Sequence, residues 1–153
     1  MALASILKPE AVKVFSAASS KKRLFQEIGD VAQSAYGLDS QDTVEALLER
    51  ESLGPTGVGH GVALPHARMP GLDDVVGIFL MLEKPIDFGA VDRQPIDIAF
   101  SLFAPEDSGV EHLKALALVS RTLRDAALCA KLRANPDAAT LYTMLTEAQP
   151  VAA

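Results

Sequence analysis

The chain has no tryptophan, one cysteine and few aromatic residues of any kind, 5% in all. Cys129 therefore closes no internal disulfide, and its apolar, helical neighbourhood predicts a core thiol rather than a nucleophile. No stretch approaches the roughly 20 apolar residues of a membrane-spanning helix. The opening residues, Met1-Ala2-Leu3-Ala4-Ser5-Ile6-Leu7-Lys8-Pro9, carry neither a basic leader nor a long apolar run, so the expectation is a cytoplasmic protein without membrane insertion. Positive charge is also short. Fourteen Lys and Arg face 20 Asp and Glu, for a formal net charge of −6, which opposes general nucleic-acid binding. A Gly-Lys-Ser/Thr phosphate loop and a Gly-x-Ser-x-Gly nucleophile elbow are both missing, which removes the usual nucleotide-binding and acyl-transfer readings.

What the chain does have is concentrated between Arg50 and Arg68. That segment holds four glycines, two prolines, two histidines and two arginines. Permissive backbone, fixed backbone, a titratable nucleophile and anion-binding charge coincide there. His66 is its sharpest point: an imidazole takes a proton, a metal or a phosphoryl group near neutral pH, and Pro65 biases Leu64 toward extended backbone, giving the ring a fixed bearing. The competing reading is a histidine satisfied by backbone at a strand end. The glycines do not form a dinucleotide loop, since Val62 stands where a third glycine is needed after Gly59. Their amides can still approach an anion.

At 153 residues the chain suits a single domain, 1–153, able to bury about two-thirds of its unfolded surface. Ser20 to Tyr36 reads as an amphipathic helix stopped by Gly37, and a second helix begins after Ser40, burying Val44, Leu47 and Leu48 and carrying Arg50 at its far end. Val75 to Leu82 has the apolar continuity of a strand covered on both faces, and Ile96 to Leu102 alternates. Glu111 to Arg124 and Ala126 to Leu132 read as helices, with Asn135-Pro136 capping a last one. The expected fold is a single-domain α/β sandwich, a mixed central sheet of about five strands with helices on both faces. Lys21, Lys22 and Arg23 form either a partner surface or a solvated basic patch.

Glu51, then Val58-Gly59, then Val62-Ala63-Leu64-Pro65-His66-Ala67, together with Leu48-Glu49-Arg50-Glu51, Leu53-Gly54 and Thr56-Gly57, resembles the phosphorylation-site signature of fructose/mannitol-type enzyme IIA domains of the bacterial phosphotransferase system. The string is most similar to the nitrogen-related, regulatory branch. The likeness continues through Ile86-Asp87-Phe88, Asp92-Arg93-Gln94-Pro95-Ile96, Phe100-Ser101-Leu102-Phe103-Ala104-Pro105 and Glu111-His112-Leu113, nearly the whole chain. It departs at Pro55, where that branch usually has serine, and His60 stands at a position that varies.

The resemblance implies that His66 accepts a phosphoryl group from a histidine-containing phosphocarrier protein and that His112 lies beside it, hydrogen-bonding the phosphoryl oxygens. From the residues alone His112 is equally a polar cap or a satisfied core group. Arg50 either pairs with Glu49 or Glu51 or offers its fork to phosphate, and Arg68 sits at the rim. Thr56, Gly57, Gly59 and Gly61 are the candidate amide donors of the turn. No metal, nucleotide or other cofactor is implied. A regulatory role implies partners such as sensor kinases or potassium transporters, read according to phosphorylation state; the alternative is a component of a sugar-import chain. A remoter reading makes His60, His66 and His112 ligands of a hydrolytic zinc, although their spacing matches no metal motif.

Overall fold

A computed structural model describes residues 2–147. Strand β1 (Leu7–Phe15) is followed by helices α1 (Lys21–Tyr36) and α2 (Ser40–Ser52), three short strands β2 (Gly57–Gly59), β3 (Val62–Ala63) and β4 (His66–Met69), and two long strands β5 (Val76–Ile86) and β6 (Ile96–Pro105). Helices α3 (Val110–Leu123), α4 (Ala126–Arg133) and α5 (Ala138–Glu147) complete the described chain.

The helix ends are written locally. Ser20 Oγ accepts from the Arg23 amide to start α1, and Gly37, left-handed at φ 73°, returns its N–H to the carbonyls of Ala32 and Gln33 to stop it. Asp39 caps α2 and Asp125 caps α4 in the same way. The last helix differs from expectation. Its cap is Asp137, whose carboxylate takes the amide and hydroxyl of Thr140, whereas Asn135 donates back to the Lys131 carbonyl. In α2 only Leu47 of the three expected core residues is fully buried; Val44 and Leu48 are half-buried. Lys21, Lys22 and Arg23 do not act as one patch, since Lys21 pairs with Glu51 and Arg23 with Glu27.

The sheet is mixed and has six strands rather than five, in the order β1-β5-β6-β3-β2 with β4 also against β6. β5 runs parallel to β1 and antiparallel to β6, while β3 and β4 both run parallel to β6. Ile78 to Leu82 are all buried, so both faces of β5 are covered, as a continuous apolar run requires. Phe79 and Phe100 meet edge to face at the centre, 6.3 Å between rings. Losing either aromatic side chain would cost on the order of 3–5 kcal/mol. One hydrophobic core runs through sheet and helices. Against that rigid centre β6 holds the two- to four-residue strands that carry the candidate site.

Candidate phosphoryl-acceptor site

His66 opens β4 opposite Leu102 of β6. The peptide entering it is pinned: the Pro65 carbonyl accepts from the Leu102 amide at 3.0 Å and from the buried Ser101 hydroxyl at 2.8 Å. The half-buried ring then turns back on its own chain, with Nδ1 2.9 Å from the Leu64 carbonyl. A carbonyl oxygen only accepts, so Nδ1 carries the proton and Nε2 keeps a free lone pair. Sequence named the imidazole; the backbone chooses its tautomer.

Arg50 comes from the last turn of α2, which packs on β4. Its Nε points at His66 Nε2 across 3.4 Å, long for a hydrogen bond, and its Nη1 donates to the Gly54 carbonyl at 3.1 Å. Neither Glu49 nor Glu51 pairs with it. Glu51 is occupied instead by Lys21 Nζ at 2.9 Å and by the Thr56 amide and hydroxyl at 2.9 and 2.7 Å. Lys21 in turn stands 4.2 Å above the Phe88 ring. This network occupies the adjacent Glu51, and among the described residues no carboxylate pairs with Arg50.

His112 lies in the first turn of α3, 7% exposed, its ring centroid 5.6 Å from that of His66. It is neither a cap nor a satisfied core group: its Nδ1 is buried and has no hydrogen-bond partner among the described residues. Such an atom costs about 1–3 kcal/mol unless something else bonds to it. Burial lowers the His66 pKa; the Leu64 carbonyl opposes that, Arg50 adds to it, and Glu51 opposes it. Burial likewise lowers His112, helped by His66 and by the positive charge of Arg68. Both rings are held neutral at neutral pH. Exposed Arg68, two residues along β4 from His66, shares its side of the strand.

The other expected donors are placed differently. Thr56 adjoins the site, its carbonyl taking the Leu64 amide, but its own amide and hydroxyl are spent on Glu51. Gly57 is a packing residue: a Cβ there would stand 2.6 Å from Ala90 Cβ. Gly59 and Gly61, both at positive φ, shape the β2–β3 hairpin, where the Gly61 carbonyl takes the amides of Asp97 and Ile98. Val62 pairs with Ile98 and His66 with Leu102, so four residues, about 13 Å of strand, separate that register from the imidazole. The glycine turn thus does not cradle His66. His60 belongs to the same hairpin, which breaks up the three-histidine zinc reading, and the described residues contain no cluster able to hold a metal.

His66 Nε2, the Arg50 guanidinium beside it and the His112 ring 5.6 Å away stand together at the end of β4. The family model described as "Phosphoenolpyruvate-dependent sugar phosphotransferase system, EIIA 2" matches residues 5–148. The chain belongs to that family. It is 43% identical over 145 residues to a nitrogen regulatory protein of Bradyrhizobium diazoefficiens, covering 95% of each chain. It is 30% identical over 146 residues to a fructose-specific EIIA component of Haloferax volcanii, again over 95% of each. The crystal structure of nitrogen regulatory protein IIA-Ntr from Neisseria meningitidis superposes with a TM-score of 0.84 at 34% identity, covering 93% of this chain and 97% of that one. The fold expected from sequence, helices around a mixed sheet in the phosphotransferase manner, is the one found.

Sequence reasoning left four contributors unassigned. Ser101 carries a signal, the one hydroxyl in a buried apolar strand. Glu51 was visible only as part of a motif, and Lys21 only as part of a basic run. The Leu64 carbonyl has no signal, because every residue has one.

Proposed function

We propose that this chain is a phosphocarrier of a nitrogen-related phosphotransferase system, accepting a phosphoryl group on His66 and altering its protein contacts according to phosphorylation state. The observation that carries the reading is the bond from His66 Nδ1–H to the Leu64 carbonyl, which leaves Nε2 unprotonated, faced by Arg50 Nε at 3.4 Å and with the His112 ring alongside. In transfer, the Nε2 lone pair forms a new P–N bond while the P–N bond to the carrier's histidine breaks, its electron pair returning to the carrier's ring nitrogen. If the far nitrogen of the carrier ring is protonated, that ring leaves as neutral imidazole. The positive charge passes to the His66 ring, whose Nδ1–H stays on the Leu64 carbonyl.

Such transfer requires positioning and neutralisation of the phosphoryl oxygens more than covalent help. Arg50 supplies a fork, His112 Nδ1 an unspent hydrogen-bonding position, and Arg68 rim charge. The expected donor is a histidine-containing phosphocarrier protein, and the expected regulated partners are cytoplasmic proteins or domains such as those of sensor kinases or potassium transporters. The phosphoryl group adds up to about two negative charges to a cationic dish, so a partner covering it should discriminate the two states by 5- to 150-fold in affinity. The likeness to a fructose-specific component keeps a second reading, passage of the group to a sugar transporter. Calorimetry of partners captured by each form, alongside a sugar-phosphorylation assay, separates them. State-dependent affinity with slow sugar phosphorylation supports regulation; equal affinities with rapid sugar phosphorylation make the chain a transport component.

A further inference from the structure

Leu64 borders a second feature besides His66. With Leu123 it forms the apolar wall of a cavity of about 220 Å³ whose polar side is made by His60, Ser120 and Arg124. Ser120 lies eight residues beyond His112, about 12 Å farther along α3, so the cavity is separate from the phosphoryl site. Arg124 has one side-chain contact, its Nη2 to Ser120 Oγ at 3.3 Å, and among the described residues no carboxylate pairs with it.

Arg124 and His60 are exposed and Ser120 is half-buried, so the guanidinium is open to solvent, and the neighbouring carboxylates are engaged elsewhere. Asp125 caps α4 through the amides of Ala127 and Leu128. Asp97 is held by Arg133, and Asp92 takes the amides of His60 and Gln94. His60 itself is held at φ 56°, in the left-handed region that residues with a Cβ seldom adopt. Its N–H goes to Asp92 Oδ2 at 3.1 Å and its carbonyl receives Arg133 Nη2 at 2.7 Å. The backbone is clamped from both sides, and the ring makes no hydrogen bond among the described residues. His60 and Gly61, both at positive φ, are the two central residues of the β2–β3 turn, and the hairpin sets that conformation.

We propose that this cavity binds a small oxyanion, a phosphate group or a short carboxylate. The guanidinium fork matches either planar or tetrahedral oxygens bidentately, and the Ser120 hydroxyl and a His60 ring N–H add donors from two other directions. The volume lies below the range of about 300–1,000 Å³ typical of sites for drug-sized ligands, which restricts the occupant to a small anion. By contrast, a cleft of about 540 Å³ at the other end of the sheet is lined by Asp73, Asp74, Asp107 and Glu111 and repels such groups.

The test is a titration of the full chain carrying Arg50→Ala, which weakens anion binding at His66, with inorganic phosphate and separately with succinate at constant ionic strength, followed by amide NMR. Saturable shifts at Gly59, His60, Ser120 and Arg124 with either anion are expected, and a further Arg124→Gln change should weaken that binding at least tenfold. In the otherwise native chain, Arg124→Gln should leave phosphoryl uptake at His66 unchanged. The absence of saturable shifts at those amides with both anions, or equal affinity with and without Arg124, overturns the proposal. Either result leaves the His66 reading standing, because uptake is measured independently.

Discussion

Arg133 and Arg50 carry the same guanidinium to opposite ends. Arg133 is satisfied, with Nε and Nη2 both on Asp97 at 2.9–3.1 Å and Nη2 also on the His60 carbonyl. It is a clamp that ties α4 to the start of β6 and to the hairpin. Arg50 has a carbonyl, a long approach to an imidazole and no carboxylate, because Glu51 is held by Lys21 and Thr56. The paired guanidinium ties elements together; Arg50, with no carboxylate among the described residues, stands beside His66 and, on the proposed function, waits for an anion.

The largest expected effect tests the unpaired side. Arg50→Ala and His112→Ala should each slow phosphoryl acceptance by about 10²-fold in rapid-quench transfer, with circular dichroism unchanged, if each stabilises the transferring group. Rates unchanged in both would reduce the two residues to packing. Arg133→Gln should do the reverse: a loss of about 1–2 kcal/mol in urea denaturation, with the transfer rate within about twofold of the native chain. Breaking the screen between the two regimes gives a third contrast. Thr56→Val removes one of Glu51's donors, freeing that carboxylate to compete for Arg50, and should slow transfer by several-fold through Arg50 rather than through stability.

The smallest effect is in pH. His66 and His112 both have lowered folded pKa values, so the unfolded chain binds more protons between those values and the ordinary 6.5. Their contribution to stability is therefore fully present above about pH 6.5 and is lost as pH falls through the folded values. If neutral His66 is the nucleophile, as proposed, the acceptance rate should hold through the same window and decline only below it. Arg50→Ala removes one of the influences that lower His66 and should move the midpoint of that decline upward in a rate–pH profile. A midpoint unmoved or lowered contradicts the assignment of Arg50 as a neighbouring charge.

How much of this was legible in the sequence follows from the range of each interaction. Helices α1 to α4 were readable because apolar spacing and the Gly37 stop are local signals; the caps at Ser20, Asp39 and Asp125 act within four positions but were not read. Strand β5 was readable from a long apolar run and β6 from alternation, although nearly all of β6 is buried, Ala99 and Ser101 included. Strands β2, β3 and β4 have two to four residues each and no periodicity; β3 and β4 exist because β6 offers them its backbone, and β2 because β3 does, so composition alone could not find them. Asn135-Pro136 is a good cap signal that lost to Asp137, two places on, whose carboxylate takes both Thr140 donors. In the site, His66, His112 and Arg50 were legible as residue types in a pattern. Their states were not, because the His66 tautomer rests on a backbone carbonyl and the freedom of Arg50 on a lysine 29 positions away.

That tautomer is the centre of the account, and phosphoryl transfer to the ¹⁵N-histidine-labelled protein from its phosphorylated carrier tests it directly. The expected result is one acid-labile, base-stable phosphohistidine, absent from His66→Ala, with phosphorus coupled to Nε2 of His66 and the Nδ1 proton retained. Label that persists in His66→Ala, that resides on His112, or that is bonded to His66 Nδ1 would contradict it.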